Sequence, residues 1–178
     1  MRSRCAPHIH RFEVVYFSAH MKIVLRPLRT SHAEVFARAS KIPGFLDGLR
    51  YEAPMNVRQS IENVHEQLAQ QAKGEMDVQS IVWDGKVVGR IGMRKRGRRW
   101  FLWYWIAPEY QKRGIAKEAI RKMLEQRREP LYAEVKHFNL ASSHVLLSLG
   151  FYVIGKDRVF LRYAYKAITT NGVLDTKT

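Results

Sequence analysis

The chain contains a single cysteine, Cys5, so a disulfide within its 178 residues is excluded. This low cysteine usage fits a reducing compartment and predicts a cytoplasmic protein. Cysteine and histidine residues nowhere cluster with the spacing of a zinc site, so no metal is expected. Apolar runs are short, and none approaches the roughly 20 residues that a membrane-spanning helix needs. The sequence therefore predicts neither a metalloprotein nor a membrane protein.

Acidic residues are scarce beside basic ones. The chain has 16 Asp and Glu against 31 Lys and Arg, a formal net charge of +15. This excess predicts attraction to polyanions such as RNA or the ribosome, and the alternative is a basic surface that contacts only solvent. Because no acidic cluster is present, a pocket for a small cationic ligand is disfavoured.

The length and an apolar content of 46% predict one folded domain with a sizeable core. We expect this domain to span residues 21–168, with an N-terminal extension at 1–20 and a polar C-terminal tail at 169–178. Residues 1–20 are predicted to form an extended arm, and the alternative is a strand that pairs along a sheet edge.

Periodicity predicts a mixture of strands and helices. The capping-box pattern of Ser31 and Glu34 predicts a helix over residues 31–41, and Asn56 is expected to cap a second helix over 57–72. The pair Asp84-Gly85 predicts a hairpin turn. Two further helices are predicted to begin near residue 115 and to span 141–149. The predicted strands are 22–29, 78–83, 86–93, 100–106, 131–136, 151–155 and 158–165.

The densest positive cluster is Arg94-Lys95-Arg96-Gly97-Arg98-Arg99. It is predicted to form a turn before the strand 100–106. Five like charges repel one another unless an anion is near, so this turn either contacts phosphate or is simply solvated. Both interpretations are open from the sequence.

The segment after strand 100–106 predicts an anion site. Pro108 ends the strand, a basic turn with Gly114 follows, and an amphipathic helix begins near Ile115. The first N–H groups of a helix are unpaired and favour an anion, and Lys112 and Arg113 add positive charge. Many ligands use such a site, so this geometry does not identify one.

Two motifs are more specific. The pattern Gln111-x-x-Gly114-x-Ala116 resembles the acyl-CoA signature of the GNAT acetyltransferase superfamily, and Glu134-Val135-x-x-x-Asn139-x-x-Ser142 is similar to a later segment of that family. The resemblance implies an α/β (α+β) GNAT fold, with a mixed, mostly antiparallel sheet and helices on both faces. It also implies a V-shaped slot between the strands 100–106 and 131–136, which holds the pantetheine arm of acetyl-CoA as co-substrate.

The same resemblance implies which residues contact the cofactor. The backbone amides of 111–116 would hold the pyrophosphate, and main-chain groups at 104–106 would pair with pantetheine. The predicted cofactor-binding residues are Tyr104, Trp105, Ile106, Gln111, Lys112, Arg113, Gly114, Ile115, Ala116, Asn139 and Ser142. In GNAT proteins the segment between the first two helices helps to form the acceptor groove, which points here to Phe45, Leu46, Leu49 and Tyr51.

Transfer to an amine needs a base, and Glu134 is the first candidate, because some N-terminal acetyltransferases of the superfamily carry the base at this position. The alternative for Glu134 is an ion pair with a nearby Arg or Lys. His137 and His144 are weaker candidates for the base. Many family members donate a proton to the thiolate from a Tyr seven residues after the Asn, where this chain has Leu146. Ser142 is the candidate donor in its place, since the ribosomal-protein branch uses a Ser there, and helix capping is the alternative.

The resemblance therefore predicts a GNAT-type N-acetyltransferase that moves an acetyl group to an amine by direct attack in a ternary complex. The expected acceptor is a protein N-terminus or a lysine, with RNA or ribosome contact through the basic surface and a monomeric or homodimeric state. The ribosomal-protein N-terminal acetyltransferase branch has the closest likeness. The alternative is a polyanion-binding protein that keeps the fold with little or no catalysis.

Overall fold

The computed structural model describes residues 22–166, so the predicted extension at 1–20 and tail at 169–178 lie outside the described residues. Four helices flank one seven-stranded sheet with the strand order β1-β2-β3-β4-β5-β7-β6. The helices are α1 (Ala33–Ala39), α2 (Val57–Ala72), α3 (Ile115–Glu125) and α4 (Leu140–Ser148). The strands are β1 (Ile23–Pro27), β2 (Met76–Trp83), β3 (Lys86–Arg96), β4 (Arg99–Ile106), β5 (Leu131–Lys136), β6 (Tyr152–Lys156) and β7 (Phe160–Tyr165).

The sheet is antiparallel except where β4 pairs with β5. Helices α3 and α4 pack on one face through a core that includes Ile91, Leu102 and Ile120. Helices α1 and α2 cover the other face, where Phe36 packs on Trp105 and Val64 on Val78. The predicted mixed, mostly antiparallel sheet with helices on both faces is confirmed.

The sheet opens between β4 and β5. These parallel strands pair at only three positions, from Trp100 with Leu131 to Leu102 with Ala133. Beyond that point β4 stays paired with β3 as far as Ile106, and β5 stays paired with β7 as far as Lys136. Each strand thus keeps one partner and leaves the other, which creates a gap through the sheet.

One helix start differs from its prediction. Neither Ser31 nor Glu34 forms the expected capping box, because residues Thr30–His32 form a 3₁₀ turn and α1 begins at Ala33 without a side-chain cap. The predicted cap of α2 is confirmed: the Asn56 side chain accepts from the Gln59 N–H, and the Gln59 side chain accepts from the Asn56 N–H.

The basic cluster 94–99 is predicted from the sequence to be a turn, but most of it is strand. Strand β3 continues to Arg96, which pairs with Arg99 of β4, so only Gly97 and Arg98 form the turn. Gly97 has φ +58°, a conformation that glycine adopts without strain. Because neighbouring side chains of a strand alternate, Arg94 and Arg96 lie on the α1/α2 face while Lys95 points to the other face.

Between residues 22 and 166, no helix is both long and apolar enough to cross a bilayer. That part of the chain also holds no group of three His, Cys, Asp or Glu side chains placed to bind a metal ion.

Candidate active site

A cavity of about 510 Å³ occupies the gap between β4 and β5 and reaches both faces of the sheet. On the α3/α4 face it is lined by the loop Gln111–Ala116 and by α4 residues that include Ser142. On the α1/α2 face it is lined by residues of the α1–α2 loop, α2, β3, β4, β5 and β7. The lining of this second end includes Phe45, Gly48, Leu49, Arg50, Tyr51, Asn63, Gln67, Arg94, Arg96, Phe101, Trp103, Trp105, Glu134 and Phe160.

The loop before α3 leaves backbone donors free at one end of the cavity. Gly114 is the N-cap residue of α3, with φ +76°, and no side chain of the described residues caps the helix. Lys112 also adopts a left-handed conformation, with φ +59°. The first N–H groups of α3 therefore remain available for an anion, and Lys112 and Lys117 line the same end of the cavity.

Gln111 and Arg113 have other contacts. The Gln111 side-chain amide donates to the Ile106 carbonyl at 3.0 Å, which ties the loop to the end of β4. The Arg113 guanidinium donates to the Glu109 carbonyl at 3.2 Å and lies 5.3 Å from the Trp83 ring centroid. Arg113 is the one residue of the predicted loop that does not line the cavity.

The edge of β4 presents main-chain groups to the gap. The Ala107 N–H donates to Val88 at 2.8 Å, toward β3, whereas the Ile106 carbonyl accepts from Gln111 on the other side. Because backbone groups of a strand alternate in direction, those of Tyr104 and Ile106 face the gap. Two backbone units without a strand partner thus lie where β4 and β5 diverge.

Tyr104 and Ser142 join the strand to α4. Their hydroxyl oxygens lie 2.8 Å apart, and both residues line the cavity. Burial raises the pKa of the Tyr104 phenol above its ordinary value, an effect that its hydrogen bond to Ser142 partly offsets. At neutral pH this pair therefore holds protons that a group in the cavity could share. Leu146, at the position of the usual family Tyr, is buried and also lines the cavity.

Asn139 caps the helix that carries Ser142. Its side-chain oxygen accepts from the Ser142 N–H at 3.1 Å, so Asn139 caps α4 and the capping role considered for Ser142 is not observed. A Cβ atom on Gly48 would meet the Asn139 side-chain nitrogen at 2.7 Å, so the lack of a side chain at Gly48 lets the α1–α2 loop approach Asn139. Asn139 also lines the cavity, where a ligand can reach it.

Three arginines surround the Glu134 carboxylate on the α1/α2 face. Arg96 donates to its Oε2 at 2.8 Å, and Arg50 forms a second ion pair with the same oxygen. The Arg162 Nε lies 3.8 Å from Oε1. The ion-pair alternative for Glu134 is therefore observed in the structure, with three partners.

The α1–α2 loop covers this carboxylate. The Arg50 guanidinium lies 4.5 Å from the Phe160 ring centroid, while Lys136 donates to the Asp47 carbonyl at 2.7 Å. These contacts hold the loop over β5 and β7. Of the four predicted groove residues of this loop, Phe45, Leu49 and Tyr51 line the cavity and Leu46 does not.

A buried cation lies beneath the same end of the cavity. Arg90 is 2% exposed and donates to the Gln67 oxygen at 2.9 Å and to the Asn63 oxygen at 3.3 Å. Burial lowers the pKa of its guanidinium to about 10. In the part of the chain that the structure describes, no carboxylate pairs with Arg90, so its charge adds to a positive potential there.

The structure does not bring His137 or His144 to the cavity. The His137 ring nitrogen Nε2 lies 2.7 Å from the Asp157 carbonyl, and His144 is exposed on α4. Residues that sequence reasoning missed are Arg50, Arg96 and Arg162 around Glu134, and the side chain of Tyr104. No local signal identifies them, because Arg50 is 84 positions from Glu134 in the chain.

Comparisons with known proteins agree with this geometry. A sequence model of the family described as "Acetyltransferase (GNAT) domain" matches residues 22–152, about three quarters of the chain. Among curated proteins, none matches the sequence significantly.

Several solved structures have the same fold. RimL, a ribosomal L7/L12 alpha-N-protein acetyltransferase in complex with coenzyme A, has a TM-score of 0.73 at 13% identity, over 81% of this chain and 93% of that chain. RimJ from Mycobacterium smegmatis, in complex with CoA-disulfide, has a TM-score of 0.70 at 23% identity, over 82% of both chains. The Microcin C7 self immunity acetyltransferase MccE, in complex with acetyl-CoA and AMP, has a TM-score of 0.71 at 16% identity, over 81% of this chain and 92% of that chain. At these identities the likeness establishes the fold, and the family match establishes that this chain belongs to the GNAT acetyltransferase family.

Proposed function

We propose that the chain transfers the acetyl group of acetyl-CoA to an amine on a protein acceptor. One observation carries this proposal: a single cavity joins the Gln111–Ala116 loop, through the gap in the sheet, to the opposite face. Such a passage lets a thioester and an amine meet from two sides of the sheet. Direct attack in a ternary complex is the mechanism that such a passage favours, because each reactant enters from its own face of the sheet. We assign the reaction to the cytoplasm on the single cysteine of the chain.

Acetyl-CoA occupies the α3/α4 end of the cavity. The free N–H groups at the start of α3 bind the pyrophosphate, and Lys112 and Lys117 add charge. Main-chain groups of Tyr104 and Ile106 pair with the pantetheine arm at the open edge of β4. Asn139 contacts the cofactor while it caps α4. Crystal structures of RimL with CoA and of MccE with acetyl-CoA support this cofactor class.

The transfer needs one base and one proton donor. Glu134 takes the proton of the acceptor ammonium through water, because an ammonium has no lone pair with which to attack. The amine nitrogen then attacks the carbonyl carbon, and the Ile106 N–H stabilises the oxyanion. When the C–S bond breaks, the Tyr104–Ser142 pair donates a hydrogen bond and a proton to the sulfur, which leaves as the CoA thiol. The nitrogen, now bonded to the acetyl carbon, loses its second proton, which restores the pair, and Glu134 releases the first proton to solvent.

The first test is calorimetric titration of acetyl-CoA into the wild type and Gly114→Glu. The glutamate adds a side chain at φ +76° and a negative charge at the proposed phosphate site. We expect micromolar binding that the substitution abolishes, with an unchanged circular dichroism spectrum. A folded wild type that does not bind acetyl-CoA would contradict the proposal.

A second test addresses Glu134. Glu134→Gln keeps the side-chain shape and removes the carboxylate, so we expect kcat to fall by about 100-fold while acetyl-CoA affinity is unchanged. An unchanged kcat would mean that Glu134 is not the base and that its role is limited to its ion pairs. Binding of RNA or ribosome without catalysis finds no support in the comparisons, and we do not favour it.

A further inference from the structure

The cavity carries more positive charge than acetyl-CoA accounts for. Its lining includes five cations, Arg50, Arg94, Arg96, Lys112 and Lys117, whereas Glu134 is its single carboxylate among the described residues. The two lysines lie at the end proposed for the CoA phosphates. The three arginines lie at the acceptor end, on the opposite face of the sheet, where no phosphate of CoA would reach.

The three arginines differ in their partners. Arg50 and Arg96 share one oxygen of Glu134. Arg94, between residues 22 and 166, has no carboxylate within 4 Å, and its exposed side chain lines the cavity. Arg90 is buried beneath this end of the cavity. Among the described residues, the acceptor end therefore has two cations without an ion-pair partner, Arg94 at its surface and Arg90 below.

We infer that the acceptor is an α-amine followed closely by a carboxylate, as at an acidic protein N-terminus, and that Arg94 and Arg96 bind this carboxylate. The inference rests on the proposed acetyl transfer and specifies its substrate class. Arginine presents two parallel donors that match the two oxygens of a carboxylate. The Arg96–Glu134 pair shows that the arginines of this cavity hold a carboxylate.

The same charges select the kind of amine. An α-amino group has an ordinary pKa of about 7.7–8.0, against about 10.4 for a lysine. Positive surroundings disfavour an ammonium further, so an α-amine becomes neutral at physiological pH more readily than a lysine does. Uncharged hydrogen-bonding groups of Tyr51, Asn63 and Gln67 line the same end, as a peptide backbone requires.

Binding tests the inference without turnover. A hexapeptide with a free N-terminus and acidic second and third residues is titrated into the chain saturated with CoA, next to the isosteric peptide with Asn and Gln there. We expect at least about tenfold tighter binding of the acidic peptide, because each charge-assisted bond strengthens the complex. Arg94→Gln should remove most of this preference. Arg98→Gln is the matched control, since Arg98 lies in the β3–β4 turn outside the cavity and should leave the preference intact.

Activity provides the second arm. With acetyl-CoA, kcat/KM should be highest for the acidic peptide and lower for the amide isostere. It should be lowest for an N-terminally blocked peptide with one lysine. Higher kcat/KM for the lysine peptide, or for an aminoacyl-RNA minihelix, would overturn the inference.

The two proposals can fail separately. Acetyl-CoA binding combined with equal affinity for the acidic and amide peptides would overturn the inference alone. A folded chain that binds neither CoA nor acetyl-CoA would overturn the proposed function and the inference with it. An inverted peptide preference in Arg94→Glu, toward a basic second residue, would support both.

Discussion

The hydroxyl groups of Tyr104 and Ser142 form a hydrogen bond 2.8 Å long between β4 and α4. This pair stands beside Leu146, where many GNAT enzymes carry a tyrosine on the helix itself. A phenol on the strand therefore lies next to the residue whose position usually supplies one.

We predict that Tyr104→Phe lowers kcat by about 100-fold, because it removes the phenolic proton donor. Ser142→Ala should lower kcat less, since the phenol remains. Acetyl-CoA affinity should change little in either variant. Ser143→Ala is the control: among residues 22–166 its buried hydroxyl has no hydrogen-bond partner, and kcat should be unchanged. Steady-state kinetics with one peptide acceptor measures kcat for the three variants. An unaffected kcat in Tyr104→Phe would mean that the phenol is not the proton donor.

The pH dependence of kcat gives a second prediction. Burial raises the pKa of Tyr104 above the ordinary value of 10, so more than half of the phenol is still protonated at pH 10. The loss of kcat that follows deprotonation of this group should therefore have its midpoint above pH 10 in the wild type. Tyr104→Phe should lack this alkaline loss. A wild-type loss with a midpoint well below pH 10 that disappears in Tyr104→Phe would contradict the assigned environment of the phenol.

Asn139 separates helix capping from cofactor contact. Asn139→Ala should lower the free energy of unfolding by about 1 kcal/mol, because it leaves the Ser142 N–H without its acceptor. Asn139→Ser should restore most of this stability, since serine is also a good N-cap. Acetyl-CoA affinity should stay reduced in both, because serine is too short to reach the ligand. Urea unfolding measures the stability and calorimetry measures the acetyl-CoA affinity. Wild-type affinity in Asn139→Ser would mean that Asn139 only caps the helix and does not contact the cofactor.

His32 should make stability depend on pH. Burial, and after it the charges of Arg29 and Arg90, lowers its pKa below 6.5. As the pH falls below 6.5, the unfolded chain takes up a proton at this residue before the folded chain does, so the folded state loses stability. His32→Gln should show a smaller loss between pH 6.5 and about pH 5. Urea unfolding at several pH values measures this change, and His65→Gln is the control, since His65 is exposed. Equal dependence of the unfolding free energy on pH in the wild type and in His32→Gln would contradict the prediction.

Two helix starts provide a matched pair. Asn56→Ala removes both halves of an observed capping box and should cost about 1 kcal/mol of unfolding free energy. Ser31→Ala should cost almost nothing, because Ser31 makes no cap in the 3₁₀ turn before α1. Thermal unfolding of the two variants compares them directly. A larger loss in Ser31→Ala than in Asn56→Ala would mean that α1 begins as the sequence pattern predicts.

Local signals explain which parts of the fold the sequence predicts well. Helix α2 and strand β5 begin and end where predicted, since a capping residue bounds the first and Pro130 precedes the second. The loop Gln111–Ala116 is likewise predicted, because its glycine, its charges and the following amphipathic helix are contiguous. Such features depend on residues a few positions apart.

Other features depend on how distant strands are paired. The Arg94–Arg99 cluster looks like one patch in the sequence, but the pleat of β3 places Arg94 and Arg96 on the face of the sheet that carries Glu134 and leaves Lys95 on the other face. The Tyr104–Ser142 contact spans 38 positions, and the Arg96–Glu134 pair spans the same number. No periodicity within a single element contains this information.

The gap between β4 and β5 has a consequence for inhibitor design. A compound that joins the sulfur of CoA to an acceptor peptide must place its two halves on opposite faces of the sheet, since the cavity runs between them. To enter, one half has to pass through the gap beyond Leu102 and Ala133, where the two strands no longer pair. We therefore expect such a compound to associate slowly and to dissociate slowly. A compound that is assembled in the cavity from two halves should have a longer residence time than its affinity would suggest.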